Sequence, residues 1–530
     1  LIGPNAVNPV TQGGGSATVP PVSVSTPASA LAQALAGRDP QTRVIVRPGC
    51  VTWSSVPSPE LAALRDPDTG EPGIRLELRS EDGKLAGSEH RTATMFTWWD
   101  GLPEGIGWGG RGTIVLRARY RAGQPGPHLI GAGGVGQLTV TVDGTQVAAG
   151  HSGVPADPVE VMVRPGEVRA TVDLAEGQEA EVGISLLPED WPEGPVAIRL
   201  GIVPAPDGDT LLREAVAAAR TADVAVVVVG SAPATESEGF DRPGLALPGD
   251  QDELVRRVAA VNDRTIVVVN AGMPVLMPWA DQVAAIGFCW LPGQAMGDAL
   301  ADVLLGRAEP GGRLPVTIPA AEADCPVLHP VPDQGRLDYT EGLLIGYRGY
   351  DRAGTTPRFA FGHGLGYTTW EYESAVANPE AAGPDLELTV VIRNAGTRAG
   401  REVVQAYVEP VSGEAGRPVR TLAAFAAVTA EPGEAAVVRL TVPARAFARY
   451  DETAGAWVWP PGEFAVRIGR SSADLRLSVE VKFLFSRTDR RDPGREEPRV
   501  SLALRRRHGV SAPAAPPDGA LSSPGVPSIP

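Results

Sequence analysis

Cysteine is scarce in this 530-residue chain: there are three, Cys50, Cys289 and Cys325, far apart and odd in number. No CxxC pair occurs, so the spacing gives neither a zinc site nor a disulfide framework. Histidine is scarce too. His90, His128, His151, His329, His363 and His508 form no HExxH and no close pair, which removes the usual metallohydrolase pattern. A GxSxG nucleophile elbow is absent. No apolar run reaches the roughly 18 residues of a membrane-spanning helix. Lys and Arg number 47 against 63 Asp and Glu, and the formal net charge of −16 argues against a general nucleic-acid binder. An initiating Met and a signal peptide are also lacking. The chain opens at Leu1, in LIGPNA, as if a strand were already under way, so an N-terminal part outside these residues is expected.

Glycine and proline are plentiful, 63 and 51, and imply many loops and short strands. The length suggests about three or four domains. Two cysteines lie in or beside apolar runs, VIVRPGC and IGFCW, so buried free thiols are expected. Unpaired cysteines also point to a cytoplasmic setting.

The pattern along the chain changes character four times. Residues 1–72 read as strand, Gly-rich loop (QGGGSA), helix (SALAQALAG) and strand (TRVIVRPGC), a βαβ order that implies a parallel sheet. From 73 to 205 short alternating strands follow one another: IRLELRS, GTIVLRARYRA, LTVTVDG, VEVMVRPG, EVRATVDL, AEVGISLLP and VAIRLGIVP. That is an all-β sandwich or barrel module. The βα pattern resumes over 206–372, with a helix at DTLLREAVAAARTA that Asp209 could cap and a buried strand at ADVAVVVVG. The β module therefore reads as an insertion into a split α/β domain. Residues 373–485 carry DLELTVVIRNAG, EVVQAYVEP, AVVRLTVPA and GEFAVRIG, at immunoglobulin-like spacing. The stretch 486–530 has little to bury and reads as a disordered tail, its RRRH run (505–508) as a solvated one.

GAGGVG (131–136) fits the GxGxxG dinucleotide pattern, but LTVTVDG after it is a strand and not a helix. These glycines are expected to be turn residues of the β module. The stretch that does suggest chemistry is TESEGFDRPGLALPGDQ (235–251), directly after VAVVVVG. In a parallel α/β sheet the site forms outside the carboxyl ends of the strands. A carboxylate of Glu236 or Glu238 there could be partly desolvated, which would raise its pKa and suit a general acid near neutral pH. Asp241 and Arg242 are expected to pair and hold the loop. A plain solvated loop would account for the same charges.

At these residues the chain resembles glycoside hydrolase family 3, the β-glucosidase family, in its C-terminal part. The resemblance runs in family order from IGPNA (2–6) and GGGSA (13–17) through ESEGFDR (236–242), LPGDQDEL (247–254) and NAGMPVLMPW (270–279). It continues in WLPGQ (290–294), ADVLLG (301–306), GGRLPVTIP (311–319), YTEGLLIGYRGYD (339–351), FAFGHGLGYTTWEY (359–372) and RNAGTRAGREVVQAYV (393–408). It implies a split αβα sandwich, a protective-antigen-type β insert at 73–205 and a fibronectin type III-like domain. It also implies a retaining β-glycosidase, β-glucosidase-like, releasing terminal β-linked glucose. Such an enzyme needs two carboxyl groups about 5–5.5 Å apart. Glu238 matches the family's acid/base, with Glu236 as the near alternative and Glu341, in YTEG, as a distant, structural one. The family's nucleophile is an Asp on an N-terminal barrel of about 250 residues. No such barrel lies within these residues, so the chain is expected to be inactive alone. Ala295, Met296 and Ala360 depart from the family's usual residues and read as packing variation.

In members with this insert, the module can reach over the active site. MFTWWD (95–100) offers Phe96, Trp98 and Trp99 as substrate-binding candidates, with Phe96 and Trp98 on one face and Trp99 on the other. At least one face is expected to be core. Because the sugar is chosen mainly by the barrel, β-xylosidase or α-L-arabinofuranosidase activity stays open, as does a non-catalytic carbohydrate-binding or scaffold role. The resemblance implies no cofactor and no metal. The expected partners are β-glucosides or short oligosaccharides, without nucleic acid or membrane, and homo-oligomerisation is left open.

Overall fold

The computed structural model describes residues 1–15, 18–99, 112–155, 158, 160–163, 165–191, 194–238, 241–327, 331–378, 385–413, 417–483 and 487–488. His329, His508, the RRRH run and nearly all of the expected tail lie outside the described residues. Two compact units divide at Arg307 and Ala308.

The first unit is built on a parallel sheet. Ala225–Gly230 pairs with Thr265–Asn270, which pairs with Ala285–Phe288. Ile2 bridges Val227 on one side and Arg47 on the other, both in parallel. Numbered along the chain, the strand order across the sheet is 2-1-3-4-5, which reverses direction between Ile2 and Ala225–Gly230. The continuous Val runs are explained by burial on both faces: Val227, Val228, Val229, Val267, Val268 and Val269 are all buried. The expected strand TRVIVRPGC contributes only the bridge at Arg47. Pro27–Arg38 is a helix with Pro at its start, and Thr26 Oγ1 accepts from Ser29 N at 3.1 Å. The helix Gly208–Thr221 is capped by Asp207, which accepts from Thr210 N at 3.2 Å. The expected cap, Asp209, lies two residues too late and sits inside the first turn.

Side-chain amides close the carboxyl edge of this sheet. Asn270, fully buried, donates to Val10 O at 2.8 Å and Trp290 O at 2.7 Å. Its Oδ1 accepts from Val10 N at 2.8 Å and Asn5 Nδ2 at 3.1 Å. Gln251, at the start of the helix Gln251–Ala259, exchanges two 2.8 Å hydrogen bonds with the backbone of Gly230. The last residues of two strands, Gly230 and Asn270, are thereby tied to neighbouring segments by buried side-chain hydrogen bonds.

The insertion is a sandwich of two antiparallel sheets. One contains Ile74–Arg79, Thr113–Arg121, Glu179–Pro188 and Gly136–Val142; the other contains Met95–Trp98, Val196–Pro204, Gly126–Gly134 and Glu167–Leu174. Leu76, Ile114, Leu116, Ile130, Leu138, Ile184 and Ile198 fill the space between. Two expectations are corrected here. VEVMV is a single helical turn, Glu160–Val163, and not a strand; its buried Val161 packs with Val135 and Ala197, so the alternation marked one anchoring residue and no sheet face. The glycines of GAGGVG are strand residues and not turn residues. A Cβ on Gly131 would lie 2.2 Å from Glu167 Oε1, and one on Gly134 2.9 Å from Ala197 O, so close packing between neighbours requires them.

The second unit is a β-sandwich with one sheet of Trp370–Asn378, Leu386–Asn394 and Ala435–Val442. The other comprises Thr421–Ala430, Gly400–Pro410, Gly462–Gly469 and Leu475–Phe483. The segment from Ala308 to about Thr369, expected in the α/β domain, groups with this sandwich. The reason is a set of buried polar ties. Arg313 lies 2.6 Å from Glu402, Arg470 lies 2.9 Å from the other oxygen of the same buried carboxylate, and Gln405 donates to Gly362 O at 3.0 Å. Among the described residues no helix is long and apolar enough to cross a membrane.

Replacing Asn270 with Ala orphans the backbone groups of Val10 and the carbonyl of Trp290, so unfolding free energy should fall by about 2–4 kcal/mol. Denaturant melts measure this; an unchanged midpoint would contradict the role given to the amide network.

Candidate active site

Three loops leave the carboxyl edge of the parallel sheet side by side, and the sheet's reversal point is where such folds bind ligands. The first follows Ile2 and contains Gly13, Gly14 and Gly15. The second follows Gly230 and contains Glu236 and Glu238. The third follows Asn270 and begins with Ala271 and Gly272.

The second loop starts as a closed turn. Thr235 N and Glu236 N donate to Ala232 O at 2.8 and 2.9 Å, and Thr235 Oγ1 accepts from Ala232 N at 3.1 Å. This turn aims the Glu236 side chain at the third loop. Gly272 N donates to Glu236 Oε2 at 3.2 Å, and Glu236 is only 9% exposed. A Cβ on Gly272 would lie 2.7 Å from Glu236 Oε1 and 2.9 Å from Leu291 Cδ1, so a glycine is needed for that approach. Two residues on, Glu238 is exposed, and Gly14 and Gly15 of the first loop pass beneath Ser237 and Glu238. The desolvated carboxylate expected at this edge is therefore Glu236, which is buried and has a backbone donor, while Glu238 is exposed.

The expected Asp241–Arg242 pair does not form. Asp241 is exposed and has no hydrogen bond or ion pair among the described residues. Arg242 instead donates to Ala246 O at 3.2 Å and Pro274 O at 3.5 Å. Carbonyls fixed by the fold offer the guanidinium a better defined seat than a solvated carboxylate does. Arg242 thus holds the loop, but without Asp241. Gly239 and Phe240 lie outside the described residues, as do Ser16 and Ala17 of the Gly-rich loop.

The three aromatics of the insert separate as alternation requires. Phe96 and Trp98 stack with ring centroids 6.2 Å apart and pack against the core of the β module, opposite Ile198 and Val196. Trp99 is 53% exposed. Of the three, only Trp99 offers a face to a ligand. A cleft of about 440 Å³ opens at the reversal point of the sheet, lined among others by Asn5, Asn8, Trp53, Arg199, Ser231 and Ala234. It joins the start of the Glu236–Glu238 loop to the root of the insertion.

Burial pushes the Cys50 thiol up to about 12, with Asp250 adding to it, and burial alone does the same for Cys289, so neither is a nucleophile at neutral pH. Cys325 is half-buried and also raised, first by burial. All three are unpaired.

Chemically, the arrangement offers an exposed Glu238 two residues from a carboxylate, Glu236, that is fixed to the backbone. Glu238 can give a proton to a bound molecule and take one back; Glu236 is committed to Gly272. Sequence reasoning did not single out Gln251, Asn270 or Gly272 for any role. For Asn270 and Gly272 the signal was position, at the end of the apolar run TIVVV; Gln251, which opens a helix after PGD, carries no such signal.

Comparison with known proteins bears on this geometry. The family model described as glycosyl hydrolase family 3 C-terminal domain matches residues 1–367, and that of a fibronectin type III-like domain matches residues 402–472. The chain is similar to a β-glucosidase of Rhizobium radiobacter, 32% identical over 91% of this chain and 58% of the relative. It is also similar to thermostable β-glucosidase B of Acetivibrio thermocellus, 41% identical over 52% of this chain and 37% of the relative. Among solved structures, the β-glucosidase of Kluyveromyces marxianus in complex with glucose superposes with a TM-score of 0.78 at 26% identity, over 92% of this chain and 59% of that one. The chain thus spans between about a third and three fifths of these relatives' lengths.

The two glutamates should separate in stability measurements. Glu236→Ala leaves Gly272 N without its acceptor and should cost about 1–3 kcal/mol. Glu238→Ala, at an exposed position, should stay within about 0.5 kcal/mol of the parent. Thermal melts giving the reverse order would contradict the division between a buried and an exposed carboxylate.

Proposed function

Because the chain belongs to glycosyl hydrolase family 3, we propose that it supplies the general acid/base of a retaining β-glucosidase, and that this group is Glu238. The observation that carries the reading is the contrast within one loop: Glu236 is buried on Gly272 N, while Glu238, two residues later, is exposed at the carboxyl edge of the parallel sheet.

Retention needs a second carboxylate about 5–5.5 Å away, acting as nucleophile. We place it on a part of the enzyme outside these 530 residues, in keeping with relatives for which this chain accounts for at most about three fifths of the length. That carboxylate attacks the anomeric carbon and the glycosidic C–O bond breaks. Glu238 gives its proton to the departing oxygen, and the sugar is left as a glycosyl ester on the nucleophile. Glu238, now a carboxylate, takes a proton from water, whose oxygen displaces the nucleophile and releases the sugar. In such an enzyme the exposed Glu238 is covered when the nucleophile-bearing part and the substrate close over it. That removal of water strengthens its hydrogen bond to the leaving oxygen.

The relatives' names support terminal β-linked glucose as the sugar, in glucosides or short oligosaccharides. Trp99, exposed at the end of Met95–Trp98, is the residue proposed to meet the aglycone, since an exposed indole face stacks well on a sugar ring. The three unpaired cysteines support a reducing, cytoplasmic setting.

In the active enzyme that carries these residues, Glu238→Gln should lower turnover of glucosides with poor leaving groups by about 10²–10⁴, the usual worth of general acid–base catalysis. Added azide should restore part of the loss by taking over the displacement of the sugar. Undiminished turnover would remove Glu238 from the mechanism. The 530 residues alone should not turn over aryl β-glucosides; clear turnover would overturn the placement of the nucleophile outside them.

A further inference from the structure

Two consecutive glycines of the first loop, Gly14 and Gly15, adopt left-handed backbone, with φ of +74° and +62°. What a side chain would meet there is unusual. A Cβ on Gly14 would lie 2.8 Å from Ser237 Oγ. A Cβ on Gly15 would lie 2.5 Å from Glu238 Cβ and 2.7 Å from Glu238 Oε2. Two adjacent glycines thus face two adjacent side chains of the acid/base loop, across more than 220 residues of sequence. The second of them contacts the carboxyl group itself. The Cβ side of the Gly14 and Gly15 backbone is in this way occupied by the Glu238 loop.

The loop carrying Glu238 is anchored on either side of that residue. Glu236 is bound to the third loop, and Arg242 ties the far end to Ala246 and Pro274. Between these anchors the backbone at Gly15 lies directly against the Glu238 side chain. A second carboxylate must meet the same anomeric carbon from the other side, so the acid must be held to a fraction of an ångström. From these contacts we infer that Gly15 is a positioning residue: its missing side chain seats the Glu238 carboxyl at the height from which it protonates the leaving oxygen. The inference rests on Glu238 being the acid/base.

A methyl group at Gly15 cannot share space with Glu238 Oε2, so the carboxyl must swing away while the nucleophile stays in place. The damage should then fall on the steps that use Glu238, the proton given to the leaving oxygen and the proton later taken from water. Gly15→Ala in the active enzyme should lower kcat/KM, which reports the first of these, about 10²-fold for alkyl glucosides, the scale of an ångström's misplacement, and by less than about threefold for 2,4-dinitrophenyl glucoside, whose departure needs little protonation. KM for the activated substrate should fall together with kcat, because the glycosyl ester builds up when water is activated poorly. Gly14→Ala bears comparable left-handed strain but presses on the Ser237 hydroxyl, so its smaller loss should be equal for both substrates. If Gly15→Ala folds poorly, Gly15→Asn tolerates the positive φ while carrying the same Cβ, and should give the same selective loss.

The deciding measurement is the double variant with Glu238→Gln. If Gly15 acts through Glu238, Gly15→Ala should change the activity of the Glu238→Gln enzyme by less than about twofold. Losses that multiply in the double variant would overturn the inference, as would equal losses for both leaving groups or a Gly15→Ala enzyme like the parent. Those outcomes leave the acid/base assignment standing. A Glu238→Gln enzyme with full activity is a different result, and removes the proposed function together with this inference.

Discussion

The carboxamide of Asn270 is the interaction on which the arrangement of the site depends. It is fully buried at the end of the central sheet strand, and its four hydrogen bonds reach Asn5 and Val10, which follow Ile2, and Trp290, which follows Ala285–Phe288. The valine runs decide that a parallel sheet forms, but hydrophobic contact is non-directional and does not fix where loops go after the strands end. The amide network does that. With Gln251 pairing to Gly230, it brings the Gly-rich loop, the Glu236–Glu238 loop and the Gly272 loop together at one edge. A fully satisfied buried polar network gives a single geometry, and losing one member strands the others.

Upon that platform the two glutamates divide the labour. Glu236 is structural: buried, it accepts from Gly272 N and pins the loop. Glu238 is the exposed group, lying against the glycine backbone of the first loop. Glycine serves twice here for one reason, close approach of backbone to a carboxyl group, at Gly15 under Glu238 and at Gly272 under Glu236. The proposed chemistry then requires this chain only to hold one proton donor in place. The insert adds an exposed Trp99, while Phe96 and Trp98 hold the module together.

Much of this was legible in the sequence because its signals are local. The Val runs, the helix at 208–221, the alternating strands of the insert and the charged strand-end loop all follow from periodicity and position. What was not legible depends on partners distant in the chain. VEVMV alternates like a strand, yet Glu160–Val163 forms a helical turn whose Val161 packs with Val135 and Ala197. The GAGGVG glycines looked like turn residues because their need, close neighbours at Glu167 and Ala197, is invisible locally. Arg242 turned to carbonyls over 3 Å away at Ala246 and Pro274, and not to the adjacent Asp241. After Arg307 the sequence does not show the buried carboxylate of Glu402 between Arg313 and Arg470, which ties that segment to the sandwich. Which of two glutamates is buried could not be read from ESE at all, since the answer lies in Gly272 N.

The most direct test of that choice is the pH dependence of kcat/KM in the active enzyme. A general acid must be protonated for the first step, so the alkaline limb of the profile reports its loss of a proton. The account predicts that Glu238→Gln abolishes this limb and leaves the acidic limb of the nucleophile, whereas Glu236→Gln keeps both. An alkaline limb that survives in Glu238→Gln and disappears in Glu236→Gln would contradict it.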